Sequence, residues 1–345
     1  MGGVRTLQAN TSEGLNAITR ERPRPYQVSA HSSAAVLKIK LDLLRAILSE
    51  APINSYEVKQ ILREDQPADK QLFFDIYSDL RNNKLALPSL PDVALKVRKM
   101  IDDGDNVKTI AHAVNTDPAI TVKLIKAANS PLFRGTKEFE TSAQAIVRLG
   151  LETTKQLITS FTLREVFKTK DSVIKKRLDE IWSHSIQIAA ICHALAKQVP
   201  GLDPEQGLLA GLLHEIGCVP LLIYAGEYPA LIADTDLLEH ALREYGPNLG
   251  SVILKRWNFT DELVAVAQHA HHWQRTHDGP ADYCDLVQVA LLHAQLGETT
   301  EQNPPMEEVP AFEKISQGRF TPETSRQVMQ DAQQDIEETR KILAG

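Results

Sequence analysis

The stretch from Gly207 to Gly217, Gly-Leu-Leu-Ala-Gly-Leu-Leu-His-Glu-Ile-Gly, is apolar for seven residues and then places a histidine beside a carboxylate. Read as a helix, it carries three small residues and a histidine at i, i+3, i+4 and i+7: Gly207, Ala210, Gly211 and His214. A neighbouring helix can approach this stripe closely. His214 and Glu215 lie about 100° apart around the helix axis. Imidazole and carboxylate both bind divalent cations, so the pair is a candidate metal site. A hydrogen-bonded core histidine is the alternative.

The composition favours a soluble helical protein. The chain has 345 residues, of which 43% are hydrophobic, and aromatic residues make up only 6%. The net charge of −7 argues against a broad nucleic-acid surface. The three cysteines, Cys192, Cys218 and Cys284, stand far apart and form no disulfide framework or zinc knuckle, which indicates a reducing cytoplasm. The N-terminus lacks a signal-peptide pattern, and the longest apolar run is too short to span a bilayer.

Periodicity and helix-start signals predict helices along most of the chain and no strands. Residues 1–34 lack a period, so we expect a disordered arm, followed by a helical prefix over 35–84. Further helices are predicted at 92–101, 107–114, 118–128, 142–149, 152–168 and 178–198. Shorter ones follow at 204–214, 227–232, 236–245, 248–257, 260–272 and 283–297. Residues 299–345 are expected to be a proline-containing linker and one polar helix from about 322 to 343.

The histidines of the predicted helix 178–198 differ in position. His184 shares a stripe with Ile188 and Ile191, at i+4 and i+7, so it should face the core. His193 comes nine residues after His184, about half a turn around, and is expected to face away.

Several short motifs, in this order and spacing, resemble the HDOD family, a bacterial signalling relative of the HD-domain metal phosphohydrolases. They cover about residues 85–298. They are Leu87-Pro88-Ser89-Leu90-Pro91, Asp117-Pro118-Ala119-Ile120-Thr121, Asn129-Ser130-Pro131-Leu132-Phe133, Ala145-Ile146-Val147-Arg148-Leu149-Gly150, Trp182-Ser183-His184-Ser185, Gly211-Leu212-Leu213-His214-Glu215-Ile216-Gly217, Leu249-Gly250 with Trp257, and His271-His272. The resemblance implies an all-α fold, in which an N-terminal helical bundle (85–170) packs on an HD-like helical bundle (171–298). Extra helices precede it and a C-terminal helix follows.

The resemblance also implies where a metal would bind. In active HD enzymes a first histidine, a His-Asp pair and a distal acid hold the cation. Here the first histidine is His184 and the pair is His214-Glu215, whose extra methylene displaces the carboxylate by about 1.5 Å. The last helix of the domain carries no distal acid. Asp285 lies about 15 Å of helix rise away from Gln295, and relatives often carry a histidine where this chain has Gly246. The candidate metal ligands, as remnants of such a site, are His184, His214, Glu215, His271 and His272.

The resemblance and the residues leave two possible functions, a protein-binding module and an enzyme. The resemblance implies a non-catalytic signal-transduction module that acts by protein–protein interaction, with no catalytic or cofactor-binding residues and no cofactor beyond a residual divalent metal. In that case, His184 and His214 would hydrogen-bond across two helices and fix their register. The alternative is a metal-dependent phosphohydrolase acting on a nucleotide or cyclic dinucleotide. We expect other cytoplasmic signalling proteins as partners, no nucleic acid and no membrane; a homodimer stays open.

Overall fold

The computed structural model describes residues 68–82, 84, 87–133, 138–294, 304–316 and 322–344. The predicted arm over 1–34 and the prefix helices before residue 64 lie outside these residues. All regular structure in the described residues is helical, which confirms the predicted all-α class.

An N-terminal bundle follows a preceding helix, α1 (Ala68–Arg81). Its five helices are α2 (Asp92–Asp102), α3 (Val107–Val114), α4 (Pro118–Ala128), α5 (Ser142–Leu149) and α6 (Leu151–Val166). Their starts follow the local sequence. Asp117 accepts hydrogen bonds from the amides of Ala119 and Ile120 ahead of Pro118, and Thr141 forms a capping box with Gln144.

The HD-like half contains seven helices. They are α7 (Ser172–Ala196), α8 (Pro204–Leu213), α9 (Cys218–Ala225), α10 (Pro229–Ala233), α11 (Thr235–Arg256), α12 (Asp261–His269) and α13 (Tyr283–Ala294). By length and composition the stretch Pro204–Ala225 could cross a membrane, but 83% of its apolar window is buried inside the fold. Such burial is typical of core helices, and α8 is indeed the main packing partner of the long helix α7.

Helix α6 joins the two halves, because its residues enter two hydrophobic cores. Leu157, Ile158 and Phe161 belong to the core of the N-terminal bundle, whereas Leu163 and Val166 belong to the core of the HD-like half. Helix α1 also packs on the HD-like core, through side chains that include Leu72 and Ile76.

Helix α11 corrects the prediction of two helices at 236–245 and 248–257. It runs without interruption from Thr235 to Arg256, with Pro247 inside it. Proline normally ends a helix partly because its ring clashes with the residue before it. That residue is Gly246, which has no Cβ to clash.

The C-terminal segment also departs from prediction. The supposed linker contains a 3₁₀ turn (Met306–Glu308) and helix α14 (Pro310–Ser316), which pack on the core through five buried side chains: Met306, Val309, Ala311, Phe312 and Ile315. The predicted final helix is two helices, α15 (Pro322–Asp331) and α16 (Gln333–Ala344). Helix α16 contacts both α7 and α4. Its Leu343 enters the HD-like core, and Ile342 packs against the N-terminal core.

The prediction for His193 is wrong. It is 1% exposed, and its Nε2 lies 3.8 Å from Oε1 of Glu205. Helix α7 is enclosed by α8, α13 and α16, so the side opposite the His184 stripe is covered as well. His184 itself is half-buried.

Candidate functional site

His214 stands at the end of α8, where the chain turns towards α9. Its Nδ1 lies 2.7 Å from the carbonyl oxygen of Gly211. A carbonyl only accepts, so Nδ1 carries the proton and Nε2 presents a lone pair. That Nε2 is buried and has no hydrogen-bond partner, in a residue 3% exposed. Burial lowers the pKa of His214 from 6.5 to about 4, so the ring is neutral at neutral pH. The predicted hydrogen bond from His214 across to the His184 helix is therefore absent.

Two glycines allow neighbouring backbones to approach this turn. A Cβ on Gly211 would lie 2.6 Å from the backbone nitrogen of Ala189 in α7, which confirms the close approach predicted from the small-residue stripe. A Cβ on Gly217 would overlap the carbonyl oxygen of Gly246 and lie 2.5 Å from the backbone nitrogen of Gly250 in α11. Side chains at either position would push α7 or α11 away from the His214 turn.

His184 and Glu215 meet His214 at the same point. One potential ligand atom from each of the three residues lies within 4.8 Å of the others. The rings of His184 and His214 have centroids 5.6 Å apart, and Oε2 of Glu215 lies 3.8 Å from Nε2 of His214. Burial alone would raise the pKa of Glu215, but the facing histidines, His214 foremost, lower it below its ordinary value. The site therefore offers an ionised carboxylate and two imidazoles.

The structure separates His271 from His272. His271 lines the cavity, with Nε2 3.5 Å from Oε1 of Glu215, and its side chain is 40% exposed. His272 instead faces His269, with ring centroids 6.1 Å apart. The buried Gln288 donates to the carbonyl oxygens of His269 and His272 at 3.0 and 2.8 Å and thereby fixes the turn after α12. Sequence reasoning missed Gln288, because nothing in its neighbourhood connects it to a turn 16 residues earlier.

The cavity in front of these side chains is small, about 250 Å³. Its wall also carries Glu180 and Glu239, both ion-paired with Arg177, the former at 2.8 Å. Pockets that enclose small organic ligands usually measure roughly 300–1,000 Å³. The volume suits an ion with a few waters better than a dinucleotide.

A second group of potential ligands, His277, Asp282 and Asp285, is already neutralised by cationic side chains. Arg275 contacts Asp282 at 2.5 Å and Asp285 at 3.1 Å, and His277 contacts Asp285 at 2.8 Å. Lys314 of α14 donates to the carbonyl oxygen of His277 at 2.6 Å. This network attaches the C-terminal segment to the HD-like half, and Asp285 does not reach the His214 site.

A metal of the HD type would take His184, His214 and Glu215 as ligands, and the unpartnered Nε2 of His214 fits such a role. The distal acid has no counterpart in the sequence, where Gln295 stands in its region; that residue lies outside the described part of the chain. The donors present therefore fit a bound cation but only part of a hydrolytic ligand set.

Comparison with known proteins agrees with this architecture. A solved Shewanella amazonensis protein described as "Putative metal-dependent phosphohydrolase" is 24% identical with a TM-score of 0.66, over 80% of this chain and 99% of that one. A Marinobacter aquaeolei "Putative signal transduction protein" is 17% identical with a TM-score of 0.55, over 81% and 66%. At these identities the likeness establishes the fold.

The sequence comparisons define the family. An uncharacterized protein of Treponema pallidum is 22% identical over 242 residues, which are 65% of this chain and 44% of that protein, so the chain spans less than half of this curated relative. The HDOD domain matches residues 87–273, more than half of the chain. The chain belongs to the HDOD-domain family.

Proposed function

We propose that the protein is a non-catalytic regulatory module that acts in the cytoplasm by binding other signalling proteins. The observation that carries this proposal is the composition of the cavity: Glu215 is the carboxylate that faces His184 and His214, and the remaining acids of the wall are held by Arg177. A hydrolytic metal centre needs enough anionic ligands to hold the ion, together with an open position for water.

The small cavity supports the same conclusion. A cyclic dinucleotide would have to enter about 250 Å³ past the ion pairs of Arg177. The helical framework around the cavity is closely packed nonetheless, as the two glycine contacts at α7 and α11 require. A closely packed helical protein whose candidate metal site has few acidic ligands is suited to binding other proteins through its surface.

The aromatic side of α1 is the surface to alter first. Phe74 and Tyr77, at i and i+3, are 41% and 49% exposed. Phe73 of the same helix stacks on Tyr245 of α11 at 4.5 Å between ring centroids, which attaches this part of α1 to the HD-like half. Solvent-facing aromatic side chains are enriched at protein interfaces. Helix α1 also precedes residue 87, where the family match begins, so this surface lies outside the HDOD domain itself.

The test is affinity capture from the native cytosol, with the double variant Phe74→Ser/Tyr77→Ser and the control Val147→Ser, a 72% exposed apolar residue of α5. We expect the natural protein and the control to retain specific partners that the double variant loses. Light scattering tests a second copy of the chain as the partner. If neither capture nor self-association is found, or if no surface variant changes them, the proposal loses its support.

A metal-dependent phosphohydrolase is the second candidate, favoured by the convergence of His184, His214 and Glu215. It predicts turnover of phosphodiesters in the presence of manganese or iron that His214→Ala abolishes.

A further inference from the structure

The His214 site brings two electron-pair donors close together. Nε2 of His214 carries a lone pair and is buried without a partner, and the carboxylate of Glu215 lies 3.8 Å away. An unsatisfied buried acceptor destabilises the folded state. A cation placed between the two groups would satisfy both.

Three ligands are already in place, and they come from separate parts of the HD-like half. His184 lies in the middle of α7, and His214 and Glu215 follow α8. Their ligand atoms lie within 4.8 Å of one another, so small side-chain rotations bring them to coordination distances of about 2.0–2.2 Å. Two imidazoles and a carboxylate suit zinc and similar borderline cations, whereas magnesium prefers oxygen ligands and several waters.

His271 can supply the fourth ligand. Its Nε2 lies 3.5 Å from Glu215, and its side chain, 40% exposed, has room to turn. The backbone that carries it is held by Gln288. His272 is adjacent in sequence but faces His269. Because only His271 of these two neighbours faces Glu215, a substitution of His272 is a matched control for a substitution of His271.

We propose that His184, His214, Glu215 and His271 form a closed four-ligand site for a zinc-like divalent cation, one that links α7, the α8–α9 turn and the turn after α12. With four protein ligands, no position stays open for a substrate water. The cation would stabilise the HD-like half and hold the turn after α12 in place. This inference goes beyond protein binding and does not depend on it.

The experiment uses the full-length chain without an affinity tag, stripped of metal and titrated with Zn²⁺ by calorimetry and with Co²⁺ by visible absorption. We expect one tightly bound cation per chain, the intense visible bands of four-coordinate cobalt, and a higher Tm in the loaded protein. His271→Ala should weaken binding at least about tenfold and reduce the cobalt bands, while His272→Ala should leave both unchanged. Glu215→Gln should weaken binding without loss of helical circular dichroism.

Three results would overturn the proposal. The first is an absence of binding to the natural protein at micromolar cation. The second is equal weakening by His271→Ala and His272→Ala, which would indicate adventitious capture by the exposed histidine cluster. The third is a six-coordinate cobalt spectrum, which would indicate an open site. Protein capture by the α1 surface is measured separately, so failure of either proposal is distinguishable from failure of the other.

Discussion

Gly217→Ala tests the idea that backbone contact between the His214 turn and α11 holds the site together. Gly217 has φ −69° and ψ −18°, ordinary helical values that alanine adopts freely. Conformational preference alone would therefore make alanine stabilising by roughly 0.5–1 kcal/mol. The new Cβ, however, would overlap the carbonyl oxygen of Gly246 and lie 2.5 Å from the nitrogen of Gly250. These obstacles are backbone atoms of a 22-residue helix and cannot rotate aside.

We expect the strain to outweigh the preference, for a net loss of about 2–3 kcal/mol in the free energy of unfolding. Urea denaturation followed by circular dichroism measures it. The matched control is Gly226→Ala at the end of α9, which has helical backbone angles and whose Cβ would lie 3.2 Å from the carbonyl oxygen of Ile223, so that the loss should stay below about 1 kcal/mol. If Gly217→Ala is neutral or stabilising, the reasoning about this contact is refuted.

Three further predictions concern the HD-like half and the tail. Burial, with a smaller effect of Arg326, lowers the pKa of His293 from 6.5 to about 4. Between pH 6.5 and 4 the unfolded chain therefore binds a proton at His293 that the folded chain does not, and this difference lowers the stability of the natural protein by up to about 3 kcal/mol as the pH falls. His293→Leu should lose less stability over the same pH range, by that amount, in urea denaturation. Arg275→Met should cost roughly 2–4 kcal/mol in the same assay, because Asp285 is 0% exposed and loses a charged partner; an unchanged midpoint would contradict the ion-pair network. Leu343→Ala should cost about 2–3 kcal/mol and lower the Tm, since Leu343 is 3% exposed, whereas the exposed Gln334→Ala should change little.

The sequence was sufficient wherever local chemistry decides the structure. The Asp-Pro pairs at Asp117 and Asp203 start α4 and α8 as predicted, because an aspartate cap and a first-turn proline act within a few residues. The stripe of small residues correctly predicted that α8 lies against a neighbouring helix. From the family resemblance, His184, His214 and Glu215 could be expected together, and the structure brings them together.

The remaining differences come from contacts between distant residues. His193 is buried because α8, α13 and α16 surround α7, and no period within α7 reveals that its second face is covered. His271 and His272 contact different neighbours in the turn after α12, whose backbone is held by Gln288 from a distant part of the sequence. Residues 304–316 look like a linker from their prolines, yet Phe312 and its apolar neighbours pack on the core, a tertiary contact with no short-range signature.

Phosphodiester turnover by the metal-loaded protein, measured beside that of His214→Ala, decides whether the His214 site is catalytic. The substrates are a generic phosphodiester and cyclic dinucleotides, each with zinc, manganese and iron. Because the site has a single facing carboxylate and a cavity of about 250 Å³, we predict no turnover that depends on His214. Hydrolysis by the natural protein that disappears in His214→Ala would contradict the account and identify the protein as an enzyme.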